Sequence, residues 1–296
     1  MKKDITELFC LVDEFCKVYK KLEGLKQLPC SRQRCREGQM TLSELMTVMI
    51  FFHNSPFKNF KHYYLHYIQT FYKGEFPSIV SYSRFVQLMP RLFLPLTILL
   101  HSLLGRKDGI YYLDSTSLAV CHPKRIQRHR VFESLAKRGK TSMGWFYGFK
   151  IHAVINARGE FVALKITAGN VDDRHPIVDL TKDLTGHIFA DKGYIDHKLF
   201  KKLYAQGLKL VTGLRKNMTN KLISLEEKLL LRKRFIIETV FDYLKNKLNL
   251  EHSRHRSPLN AFVHILSTLV AYSLKKTKPS ITPTSPYAFH PSLIQN

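Results

Sequence analysis

Acidic residues are scarce in this chain. Its 296 residues carry 47 Lys and Arg against 23 Asp and Glu, a formal net charge of +24. That balance does not suit a metabolic enzyme for small neutral substrates and does suit a chain that neutralises phosphates. Nucleic acid is the leading partner. Long apolar runs are missing too: the most apolar stretches, residues 92–100 and 261–274, fall short of the ~20 residues a membrane-spanning helix needs, and Pro95 interrupts the first. The opening Met1-Lys2-Lys3-Asp4 leads into an amphipathic pattern with acids inside it, not into an apolar signal core. An intracellular protein with no membrane partner is expected. Cysteine is sparse as well, and five residues without a Cys-x-x-Cys pair argue against a disulfide framework. Cys10 and Cys16 read as core fillers on one stripe of the first helix, and together with Cys30 and Cys35 they are poorly spaced for zinc. No internal repeat is visible.

Residues 1–104 read as helical. Residues 4–22 are amphipathic, and Thr41-Leu42-Ser43-Glu44 is a capping box opening a helix that runs to about His53. A third helix, about residues 57–72, interleaves Lys58, Lys61, His62 and His66 with Tyr63, Tyr64 and Tyr67, a pattern that suits a DNA backbone and equally a packed bundle. One or two further helices, broken at Pro90 and Pro95, fill residues 81–104. A helical DNA-binding region is expected here.

At Gly109 the texture changes. Tyr111-Tyr112-Leu113-Asp114-Ser115-Thr116 has the aromatic and β-branched character of a buried strand, with a carboxylate in its middle that burial makes costly. A basic stretch follows, in which Lys124, Arg125, Arg128, Arg130, Lys137, Arg138 and Lys140 face the single acid Glu133. It reads as a solvated loop or, given the global charge, as an arm that tracks phosphates. From Trp145 to Ile155 apolar residues alternate with Gly148, Lys150 and His152; turn residues at 156–160 and a strand at 161–168 complete a hairpin. Asp172 and Asp173 read as caps of a helix over residues 176–184. A short apolar strand then ends at Asp191, where an open α/β sheet presents its ligand-binding rim. After a helix at 196–206, a strand at 209–214 and a basic turn at 215–220, residues 232–247 form a helix whose buried stripe is Ile237, Val240, Phe241, Leu244 and Leu248. At about 100° per residue, Arg234, Glu238 and Lys245 cluster within roughly 40° beside that stripe. A solvated ion pair fits that face, and so does an inward-aimed carboxylate. A helix at 259–274 is expected to close the core. The expected division is thus a helical region at 1–104, a catalytic domain at 105–275 and a Pro-rich, poorly ordered tail at 276–296.

Asp114 and Asp191 stand 77 residues apart, and Asp191 and Glu238 stand 47 apart. A mixed sheet with its first strand central would bring the two Asp side by side, with Glu238 arriving on a helix laid across the sheet. Three converging carboxylates repel one another unless a cation joins them. Magnesium, which takes hard oxygen ligands, is the natural candidate.

The segments YYLDST, HIFADKGY and RKRFIIETVFDYLKNK resemble the three acidic motifs of DDE-type transposases encoded by bacterial insertion sequences. The spacing of Arg234, Glu238 and Lys245 is similar to the basic-acid-basic pattern of that family's last catalytic helix; many relatives carry Tyr where this chain has Leu231. The resemblance implies an α/β fold, a ribonuclease-H-like mixed sheet flanked by helices, preceded by the all-helical N-terminal region. It implies Asp114, Asp191 and Glu238 as catalytic residues and ligands of two Mg2+ ions, with Mn2+ able to substitute. It further implies cleavage at transposon ends and transfer of the freed 3′-hydroxyl to target DNA, without a covalent protein intermediate. Lys150, Lys192, Arg232, Arg234 and Lys245 are then candidates for holding phosphates. Double-stranded DNA, a homo-oligomer that is at least a dimer on DNA, and the cytoplasm of a bacterial cell follow by the same analogy. A structure-specific nuclease on the same fold and a non-catalytic basic nucleic-acid-binding protein are the rival readings.

Overall fold

The computed structural model describes residues 2–25, 38–142, 144–214, 223–251 and 255–281. Cys30, Cys35, the basic turn at 215–220 and most of the Pro-rich tail lie outside the described residues. In chain order the helices of the first part are α1 (Lys2–Leu25), α2 (Leu42–His53), α3 (Phe60–Tyr63), α4 (Gln69–Phe71), α5 (Tyr82–Leu88) and α6 (Phe93–Ser102). Strands β1 (Ile110–Cys121), β2 (Lys137–Thr141), β3 (Gly144–Asn156) and β4 (Phe161–Ala168) follow, then α7 (Ile177–Leu180), β5 (Gly186–Ala190), α8 (His197–Ala205) and β6 (Leu208–Thr212). The chain continues with α9 (Leu225–Arg232), α10 (Phe235–Asp242) and α11 (Pro258–Ser273).

Two compact units result. One comprises residues 1–103, 244–250 and 255–274, the other residues 104–243, 251–254 and 275–296. The sequence pattern predicts a single domain over residues 105–275, yet α11 and the segment before it cluster with the N-terminal helices. The reason lies in α11 itself. Its residues from Val263 to Tyr272 are buried without a break, and a helix apolar all round needs helices around it, not one face of a sheet.

In the helical unit, Thr41 closes the expected capping box: its side chain accepts the Glu44 N–H at 3.2 Å, and the Glu44 carboxylate accepts the Thr41 N–H at 2.6 Å. Tyr63 and Tyr64 are fully buried, their hydroxyls donating to the carbonyls of Val48 and Val80. The aromatic residues of the basic-aromatic helix therefore make core, as a packed bundle would. Residues 82–102 form one run long and apolar enough to cross a membrane by composition. Here that run supplies Phe85, Leu88, Leu92, Leu96 and Leu99 to the unit's own core. Cys16 is buried against Met46, but Cys10 is exposed. Six residues at about 100° each turn the two away from one stripe.

The second unit is a mixed α/β sheet with order β2-β3-β1-β5-β6, and β4 also pairs with β3. β1 and β3 run antiparallel, β1 and β5 parallel, and β5 and β6 parallel. This is the ribonuclease-H-like arrangement expected, with β1 central. β3 is long enough to pair β2 along residues 144–148 and β4 along residues 149–155. Where the two meet, a Cβ on Gly148 would run into the Leu118 carbonyl and one on Gly139 into that of Gly169. β2 is itself a departure: the basic run 121–140 ends in an edge strand instead of continuing as loop. Likewise α7 is a single turn rather than a helix over 176–184.

Candidate active site

The parallel ladder between β1 and β5 sets the position of two acids. Ile110 pairs with His187, Tyr111 with Ile188 and Tyr112 with Phe189, so every pair is offset by 77 residues. Asp114 and Asp191 have the same separation. Asp191, the first residue past β5, therefore falls level with Asp114 just beyond the last ladder pair. A third acid arrives from α10. That helix packs on β1 and buries Ile236, Ile237, Val240 and Phe241, which leaves Glu238 half exposed on its flank.

The three acids meet at one cation. Arg234 Nη2 lies 2.7 Å from Glu238 Oε1 and 4.0 Å from Asp191 Oδ1, and its Nη1 lies 3.8 Å from Asp114 Oδ2. Arg234 holds this place because α9 stops at Arg232 and α10 starts at Phe235, with Lys233 and Arg234 forming the turn between them. It occupies the N-cap position of α10. Burial pushes the Asp114 carboxyl up to about 6; the Ser115 N–H, which it accepts at 2.8 Å, and the Arg234 charge oppose that rise, while Glu238 and Asp191 add to it. A carboxyl held this high in water-poor surroundings is one that gains from a nearby cation.

A cavity of about 380 Å³ opens at the same rim, lined by Asp114, Asp191, Lys150, Asp173, Arg174 and Tyr194 among others. One feature of its wall, Tyr194, and one buried neighbour of Lys150 on β3, His152, were not legible in the sequence. The Tyr194 hydroxyl is buried beside Ser115, and burial raises its pKa strongly. His152 is fully buried, donates to or accepts from Thr167 Oγ1 at 2.8 Å, and is held near pKa 4 by burial. Asp172 and Asp173, read as helix caps, instead pair with Arg174 at 2.6 Å and with Lys150 at 3.0 Å.

Among the described residues, no three His, Cys, Asp or Glu side chains stand together as a ready metal cage. The carboxylates surround a guanidinium instead. Their chemistry still fits a divalent ion: hard oxygens from three elements, one of them largely buried, all within 4.0 Å of a single cationic group.

Against the models of known families, residues 104–258 match the transposase DDE domain. The chain belongs to the DDE transposases. The match covers slightly more than half of the chain and takes in Asp114, Asp191 and Glu238. Among curated proteins no match is found. In this transposase the other sequence-named cations differ in burial. Lys124, Arg125, Arg128, Arg130, Lys137, Arg138 and Lys140 are exposed, as are Lys192 and Arg232. Lys150 is different: its side chain is buried and its ammonium donates to the Val171 carbonyl and the Asp173 carboxylate, both at 3.0 Å. That ammonium is committed inside the protein, where the sequence had it holding a phosphate. Lys245 is half buried in the π-helical turn that continues α10 over residues 243–247. Trp145, which alternation assigned to sheet core, is 60% exposed with Lys140 and Arg138 near its ring.

Proposed function

We propose that this DDE transposase hydrolyses phosphodiester bonds at transposon ends and transfers the freed 3′-hydroxyl to target DNA, with Asp114, Asp191 and Glu238 as ligands of two Mg2+ ions. Mn2+ substitutes. The observation that carries this reading is the meeting of those three carboxylates, drawn from β1, the end of β5 and α10, around one cation. Bound between them, such ions would activate a water or a 3′-hydroxyl on one side of the phosphate and stabilise the leaving oxygen on the other. The chain's own residues supply the rest. Burial disfavours the charged form of Asp114, and a divalent cation beside it would offset that cost. Arg232, Lys192 and the exposed cations of residues 124–140 hold backbone phosphates of double-stranded DNA. No protein nucleophile takes part. The working form is a homo-oligomer, at least a dimer, that pairs two DNA ends in the bacterial cytoplasm.

Asp114→Asn, Asp191→Asn and Glu238→Gln are each expected to abolish Mg2+-dependent cleavage of end-labelled DNA while leaving DNA affinity intact or higher. Cleavage that survives one substitution removes that residue from the site. Joined product separates the two catalytic readings: cleavage with no strand transfer indicates a nuclease on the same fold.

A further inference from the structure

Arg234 does more in this structure than flank Glu238. Its guanidinium reaches all three carboxylates at 2.7, 3.8 and 4.0 Å, and it is pinned there by the turn between α9 and α10. A guanidinium keeps its charge at every accessible pH. It is therefore a permanent counter-ion, placed where the proposed ions would sit. Mg2+ takes carboxylate oxygens at about 2.0–2.1 Å, a spacing the acids cannot reach while a planar guanidinium lies among them. An ion held between these same three oxygens would have to displace the guanidinium.

We infer that Arg234 is a resident competitor of the divalent metal, and that docked DNA relieves the competition by offering the guanidinium a phosphate in place of the carboxylates. The inference rests on the reading of Asp114, Asp191 and Glu238 as metal ligands. Its second half follows from chemistry: the planar fork of an arginine matches phosphate as well as carboxylate, in bidentate fashion. Access is open, because the Asp191 and Glu238 side chains are 58% and 54% exposed and Arg234 itself is 20% exposed. Since both equilibria draw on the same side chain, DNA raises metal affinity by the factor by which metal raises DNA affinity. A transposase built this way stays free of metal until its substrate is present.

The test is Mn2+ binding to metal-free protein, followed by electron paramagnetic resonance of the free ion, with no turnover involved. Arg234→Gln is expected to bind Mn2+ at least about tenfold more tightly than wild type without DNA, within the usual range for coupled sites. A blunt duplex of random sequence should tighten Mn2+ binding to wild type and have a smaller effect on Arg234→Gln. Arg234→Lys, which keeps a charge but loses the fork, guards against a folding defect and should fall between the two. Equal or weaker Mn2+ binding by both variants overturns the inference and leaves the metal site standing, as does a wild-type affinity that DNA does not move. Absence of Mn2+ binding in every protein, or binding that Asp114→Asn leaves unchanged, overturns the proposed function itself.

Discussion

His53 shows how a single side chain can set a pH limit. It is buried in the helical unit with Nδ1 2.7 Å from the Leu248 carbonyl and Nε2 2.8 Å from Ser267 Oγ. A carbonyl only accepts, so Nδ1 carries the proton, while the Ser267 hydroxyl beside Nε2 also donates to the His264 carbonyl at 2.9 Å. Burial, reinforced by the neighbouring His264, holds its pKa well below the ordinary 6.5. The folded state thus keeps His53 neutral where the unfolded chain would protonate it. Its contribution to stability is fully present above about pH 6.5 and is lost as pH falls from there toward the folded value, at about 1.4 kcal/mol per unit. Urea unfolding between pH 8 and pH 5 should show this loss in wild type, and His53→Gln should flatten it. An unchanged slope would place the titration elsewhere.

At the scale of elements, α2 depends on its first turn. Both reciprocal bonds of the Thr41–Glu44 box are formed, and Thr41→Ala is expected to cost about 1 kcal/mol, read as a lower urea midpoint at constant slope. This helix was fully legible because its signal is local. β1 and β5 were legible from their apolar runs, whereas the helix expected over 232–247 is broken by the turn at Lys233 and Arg234 and is regular α-helix only from Phe235 to Asp242. Other elements were not legible. Lys137–Thr141 has the charge of a loop, and it forms β2 because an exposed sheet edge favours lysines that discourage further pairing. Trp145 belongs to an alternating pattern, but it lies near the start of β3, beyond the Tyr147–Cys121 pair where the ladder to β1 ends. The contact of Arg234 with Glu238 could be read from helical spacing. Its contacts with Asp114 and Asp191 could not, since they depend on sheet register. The placement of α11 was hidden for a different reason: a helix apolar on every side gives no hint of which elements surround it.

Over the whole molecule, charge is the dominant feature. A formal +24 with seven exposed cations between residues 124 and 140 predicts affinity that falls steeply with salt. Replacing those seven with Gln or Ser should weaken binding to unrelated DNA sequences alike and reduce the slope of log affinity against log salt by about 0.9 for each phosphate that is no longer neutralised. A slope that does not change would show that this edge of the sheet lies away from DNA.

The shared offset of 77 residues has a bearing on how such a chain tolerates change in length. Asp114 and Asp191 are aligned by three ladder pairs immediately upstream of them, not by the count of residues in between. Additions or deletions in the surface segment between β1 and β2 would alter the number while sparing the alignment, whereas sliding β5 by one position would turn Asp191 to the opposite side of the sheet. Sequence distance between the two acids is thus free to drift, and strand pairing is the quantity selection must hold fixed.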